Sequence, residues 1–145
     1  MTGVAVTGSR YFVERGQDQQ KRSFITELRG LYLDGVSTLH HGDAVGADAF
    51  SHQIAVFLGL GIVVHPPENS THRAFCSTGK IRVLPTKPYL DRNIELVTGT
   101  EALLVLPIQN QEVQRSGTWH TVRVARKMNR SIVIFFPDGR VSREN

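Results

Sequence analysis

Val4-Ala5-Val6 leads into Gly8-Ser9-Arg10, and further along Leu103-Leu104-Val105-Leu106 leads, across a polar stretch, into Ser116-Gly117-Thr118-Trp119 at the head of a basic, helix-like segment. Both places put small residues where a strand should turn into a helix, so backbone N–H groups can converge on an anion without side-chain obstruction. Phosphate is the obvious anion. Between them His41-Gly42-Asp43-Ala44-Val45-Gly46-Ala47-Asp48 follows another apolar run and opens another amphipathic segment. The same strand-loop-helix setting thus recurs around three glycine-bearing turns.

Working outward, Phe24, Ile25, Leu28, Leu31 and Tyr32 recur with the spacing of one helical face, and Val36 to Leu39 predicts a second strand. Ala49, Phe50, Ile54, Phe57 and Leu58 mark a second helix that Gly59 and Gly61 would end. Ile62-Val63-Val64 is a third strand, Tyr89 to Val97 a helix-like stretch, and Leu103 to Leu106 a fourth strand. Val122, Ala125 and Met128 give the next helix an inward stripe before a fifth strand, Ile132 to Phe136. These strands are nearly continuous apolar runs, as a parallel sheet covered by helices on both faces requires. The expected class is α/β, a Rossmann-like three-layer sandwich with a mainly parallel sheet of about five strands. Ligands in such sheets bind beyond the carboxyl ends of the strands, where strand order reverses, and Gly8, Gly42 and Ser116 are expected to meet there.

With 145 residues and 40% hydrophobic content, the chain reads as one domain over residues 1–145. Residues 66–88 break the pattern with four prolines, Gly79 and scattered His72, Arg73, Lys80, Arg82 and Lys87. They read as an irregular insert, either a lid over the ligand or an inert surface loop. No apolar run reaches the roughly 18 residues a bilayer span needs, and Met1 to Val6 lacks the order of a signal peptide. A soluble, cytoplasmic protein is expected. Cys76 stands alone, which excludes an internal disulfide and any CxxC motif.

The net charge of +4 and pI near 9.6 permit contact with nucleic acid or phosphorylated metabolites. Much of the charge lies in Arg115, Arg123, Arg126, Lys127 and Arg130, where cations suit a helix's carbonyl end as readily as a phosphate. The six histidines form no HExxH or paired Cys/His spacing, so no metal site is expected. His41 and His65 nevertheless end adjacent strand candidates, where a neutral imidazole could bond a ligand. Trp119 could stack on a base or pack against a neighbouring layer.

The ordered set Gly8-Ser9-Arg10, Gly42 to Asp48, Arg92-Asn93, and Ser116-Gly117-Thr118 with Thr121 and Ala125 resembles the SLOG superfamily over Gly3 to Pro137. That group joins the DNA-processing protein Smf/DprA, the lonely-guy phosphoribohydrolases, molybdenum-cofactor carrier-like proteins and small YpsA-like proteins. The resemblance implies a Rossmann-like fold whose glycine turns hold a nucleotide or nucleotide-derived ligand. The implied ligand-binding residues are Gly8, Ser9, Arg10, Gly42, Asp43, Ala44, Gly46, Asp48, Arg92, Asn93, Ser116, Gly117, Thr118 and Thr121. Gly8 would give the tight turn, Ser9 would face phosphate, and Arg10 would clamp it. Asp48 could accept from a ribose hydroxyl or simply stabilise the first helical turn.

In the phosphoribohydrolases an arginine at the place of Arg92 takes part in the reaction, and a Pro-Gly-Gly-x-Gly-Thr-x-x-Glu segment supplies a glutamate. Here Pro107 ends the fourth strand, the double glycine is missing, and Thr121 stands where the glutamate would be. Threonine cannot shuttle a proton near neutral pH. Three functions follow from the resemblance. The first is binding of a nucleotide-type small molecule by a sensor, carrier or sequestering protein. The second is N-glycosidase or phosphoribohydrolase-type hydrolysis, with Arg92 and Asp48 catalytic and Asp43 or Glu95 as further carboxylates. The third is single-stranded nucleic-acid binding, in keeping with the Ser116-Gly117-Thr118 form. Small SLOG-like domains tend to associate, so a homo-oligomer is expected, with no membrane partner.

Overall fold

The first strand is buried along almost its whole length because it lies at the centre of the sheet. In this computed structural model, which describes residues 2–12 and 17–145, the elements in chain order begin with β1 (Gly3–Gly8), α1 (Asp18–Leu33), β2 (Thr38–His41) and α2 (Ala47–Leu58). They continue with β3 (Gly61–Val64), β4 (Lys80–Val83), α3 (Tyr89–Thr98), β5 (Ala102–Leu106), α4 (Gly117–Lys127), β6 (Ser131–Phe135) and β7 (Val141–Glu144). The strand order is β4-β3-β2-β1-β5-β6-β7, and every pairing is parallel except the antiparallel β6–β7 edge. The chain winds from β1 outward to β4, then crosses to β5 and winds to the other edge. Strand order therefore reverses between β1 and β5.

Adjacent residues of one strand feed opposite layers, which explains the unbroken apolar runs. Val4 and Val6 join Leu104, Leu106, Phe24, Leu28 and Phe135 in one core, while Ala5 joins Leu103, Val105, Trp119, Val122 and Ile132 in the other. Helices α1 and α2 cover the first face, and α3 and α4 pack together over the second. Gly59, at φ 86°, ends α2 in the left-handed conformation, as its position in the sequence predicts. No helix among the described residues is long and apolar enough to cross a membrane.

Among the described residues the sheet has seven strands rather than about five. Both additional strands are edges. In β4 only Ile81 packs against the core, while Lys80, Arg82 and Val83 are exposed, and in β7 Val141 and Arg143 are exposed. Charged, solvent-facing edge strands lack the apolar run that reveals a central strand. Because β4 lies within residues 66–88, that stretch is not irregular throughout. Bridges Ala44–Arg73 and Pro67–Lys87, with Val45 N donating to His72 O at 2.9 Å, fasten the rest of it to the body. A segment pinned at these points is poorly suited to act as a free lid.

Candidate functional site

The reversal point brings together the ends of β1 and β5, where Gly8 pairs with Leu106 and Ser9 N donates to Leu106 O at 3.1 Å. Ser9 O accepts from Ala47 N at 3.0 Å, which ties the loop after β1 to the start of α2. The glycines here serve this packing. A Cβ on Gly8 would lie 2.4 Å from Ala47 Cβ and 2.7 Å from Leu106 O, and one on Gly46, at φ 89°, would lie 2.5 Å from Ser9 O. Ser9 Oγ accepts from Tyr11 N at 3.0 Å and keeps its proton for another acceptor. Arg10 is exposed, with its guanidinium against the Tyr11 ring, and remains within reach of an approaching anion.

The loop after β2 is organised by two carboxylates that the sequence reading assigned to a ligand. Asp48 Oδ2 accepts from Gly42 N and Ala44 N, each at 3.2 Å, while Oδ1 is buried without a hydrogen-bond partner among the described residues. Burial pushes the Asp48 carboxyl up to about 6, although Arg92 and the two amides pull against that rise. Asp43, fully buried at φ 59°, accepts from Arg73 Nε at 2.7 Å and Cys76 N at 2.9 Å. Its carboxylate is occupied in anchoring residues 73–76 and is not presented to a ligand.

Arg92 lies beneath the same loop. Its Nη1 donates to Gly42 O and His65 O, and its Nε donates to Asn93 Oδ1 at 2.9 Å. Gly42 is needed because a Cβ there would lie 2.5 Å from the guanidinium. Asn93 Nδ2 is 3.3 Å from His120 Nδ1, which links this network to the first turns of α4. The structure therefore joins Arg92 and Asn93 to the glycine loops, but as buried posts supporting them.

Two imidazole chains were not legible in the sequence. Asp43 N donates to His41 Nδ1 at 2.9 Å, so the His41 proton sits on Nε2 and is given to His52 Nδ1, also 2.9 Å away. His52 Nε2 then donates to Thr78 O. One ring nitrogen each of His41 and His52 and the Cys76 Sγ lie within 4.8 Å of one another, a spacing open to a metal ion. Coordination through His41 would require removing that Nε2 proton, and burial with Asp43 alongside pushes the Cys76 thiol up to about 12. This hydrogen-bonded arrangement is unfavourable to a metal. In the second chain Glu95 Oε1 accepts from His65 Nδ1 at 2.7 Å, and His65 Nε2 lies 2.9 Å from His40 Nδ1. That chain lines a cavity of about 620 Å³ between α3 and β3–β4, on the flank of α3 away from Asn93.

The buried histidines are expected to lower the protein's stability in acid. Burial and His52 depress His41 from 6.5 to about 3, so below pH 6.5 the unfolded chain gains a proton that the fold refuses. Stability falls through that window, by about 2 kcal/mol at pH 5 from His41 alone. His40, lowered to about 4, adds to the loss. Asp48 opposes it, since its raised value lets the folded state bind a proton below about 6, before the unfolded carboxyl does at 3.8. Urea midpoints are expected to be lower at pH 5 than at pH 7, with a larger difference in Asp48→Asn. An equal or higher midpoint at pH 5 would show that these imidazoles are not held neutral.

At α4, Ser116 is the N-cap, its Oγ accepting from Trp119 N at 3.4 Å. Gly117 is exposed, and a Cβ there would meet nothing within 4 Å among the described residues. Thr118 is buried, and Thr121 Oγ1 donates to Gly117 O at 3.0 Å, so the position aligned with the phosphoribohydrolase glutamate is tied to the helix backbone. Trp119 is 1% exposed and packs in the core near Phe136, so it offers no face to a base.

No protein-family profile and no curated protein matches the sequence. Solved structures share the fold. A molybdenum cofactor binding protein from Rippkaea orientalis is 17% identical, with a TM-score of 0.67 over 92% of this chain and 75% of its own. The Moco carrier protein of Chlamydomonas reinhardtii is 16% identical, with a TM-score of 0.63 over 92% and 75%. DNA processing protein A of Streptococcus pneumoniae is 18% identical, with a TM-score of 0.63 over 92% of this chain, which spans 50% of that protein. At the level of the fold, these likenesses agree with the SLOG resemblance of the motifs.

Proposed function

We propose that the protein binds a nucleotide or nucleotide-derived small molecule at the β1–β5 reversal point, with phosphate at the start of α4. The carrying observation is the position of Gly117. It is exposed, and unobstructed by any described residue, at an N-terminus capped by Ser116, in the helix that follows the strand beside β1. Ser9 and Arg10, on the adjoining loop, would supply a hydroxyl and a guanidinium. That proteins of the same fold include a molybdenum cofactor binding protein and a Moco carrier supports a small-molecule role. The absence of a carboxylate at Thr121 favours binding over hydrolysis.

Native mass spectrometry of protein purified without added nucleotide tests this reading, and the same spectrum reports whether the chain is the homo-oligomer its resemblance implies. Calorimetry with nucleoside monophosphates should show binding that weakens at least tenfold in Gly117→Val, with little loss of stability, because the added side chain enters the phosphate's space. Unchanged affinity would remove the phosphate from α4. Release of free base in the same incubation would instead support a hydrolase.

A further inference from the structure

Phe75 carries an unusual backbone for an aromatic residue. Its φ is 54°, in the left-handed region that bulky side chains avoid, yet the residue is 59% exposed and gains little from burial. The main chain around it is fixed. Ala74 N donates to Asp43 O at 2.7 Å and Cys76 N donates to Asp43 Oδ1 at 2.9 Å, so the residues on either side are anchored in the loop after β2. The ring is fixed from below as well: the Arg73 guanidinium lies 4.4 Å from its centroid, while Arg73 Nε is held by the fully buried Asp43 carboxylate at 2.7 Å. A half-buried arginine paired with a fully buried carboxylate thus supports one face of an exposed aromatic ring. Val45 N bonds His72 O, and Gly46 adjoins Ser9 and Arg10, so this segment borders the loops at the carboxyl edge of the sheet.

We propose that Phe75 is a stacking platform for a planar heteroaromatic group, a nucleobase or a fused nitrogen heterocycle of similar shape. This proposal rests on the nucleotide-type reading above and identifies the part of the ligand that the phosphate site does not address. The cation beneath the ring draws π density toward itself, which favours stacking of an electron-rich heterocycle on the other face. Holding the ring in place beforehand reduces the ordering cost of that contact. Trp119, the other aromatic considered for stacking, is enclosed in the core.

The test titrates AMP, adenosine and ribose 5-phosphate into wild type, Phe75→Ala, Phe75→Leu and Phe75→Trp. Stacked bases typically lose about tenfold or more in affinity on alanine substitution. Phe75→Ala and Phe75→Leu should each weaken AMP and adenosine by about that factor and leave ribose 5-phosphate unchanged, while Phe75→Trp keeps or improves affinity. Adenosine should also quench the fluorescence of the introduced tryptophan. AMP affinity that is equal in wild type and Phe75→Ala, yet reduced in Gly117→Val, would overturn the stacking and leave the phosphate reading standing. Binding of none of the probes by the wild type would overturn both.

Discussion

Gly8→Val is expected to lose cooperative folding, or at least 3 kcal/mol of stability, in urea titrations. A Cβ at this position would lie 2.4 Å from Ala47 Cβ and 2.7 Å from Leu106 O. Neither neighbour can yield cheaply, since Ala47 is fully buried at the start of α2 and Leu106 belongs to a strand hydrogen-bonded to β1. Overpacking of a dense interior commonly costs about 1–3 kcal/mol, and a clash with strand backbone belongs at or above the upper end. Against a typical total of about 5–15 kcal/mol, that loss is a large fraction. Gly117→Val, whose new Cβ would meet nothing within 4 Å among the described residues, is the contrasting case and should change stability by less than about 1 kcal/mol. Gly8→Val is therefore not a selective probe of ligand binding. A Gly8→Val protein with the wild-type midpoint would show that the β1 and α2 backbones are free to separate.

The difference between these glycines marks where sequence reading stops. The central strands were legible because a strand buried on both faces must be apolar at every position, as in Leu103 to Leu106. The helices were legible from their stripes, and the crowding of loops at one edge followed from parallel topology. A glycine's purpose was not legible, because the sequence does not reveal whether hydrogen is required by a phosphate, as proposed at Gly117, or by a neighbouring backbone, as at Gly8 and Gly46. Asp43 and Asp48 raised the same difficulty, since a carboxylate that receives main-chain N–H groups is spelled like one that receives a ribose. Gln20 left no signal at all: it sits fully inside, donating to Pro107 O and Phe135 O at 2.7 Å, and fastens α1 to the ends of β5 and β6. Such long-range contacts depend on residues brought together only by folding.

Arg92→Met should be the most damaging change among the polar residues. Methionine retains much of the side chain's length but donates nothing, so Gly42 O, His65 O and Asn93 Oδ1 lose the guanidinium that holds them together. Asp48, ionised above about 6 and buried, loses the cation that most lowers its carboxyl. Removing one partner from a buried ionic arrangement typically costs about 3–5 kcal/mol, because the remaining charge is left uncompensated. The pH dependence separates that electrostatic loss from lost packing. Without Arg92 the Asp48 carboxyl rises further, so the variant suffers most where Asp48 must be charged. Its deficit relative to wild type should be larger at pH 8 than at pH 5, where the folded protein holds Asp48 protonated in both forms. Arg92→Lys should recover the charge without spanning all three acceptors, leaving an intermediate midpoint. A deficit independent of pH would mean that Arg92 supports the loops through its hydrogen bonds alone, and that Asp48 takes its charge without help from the guanidinium.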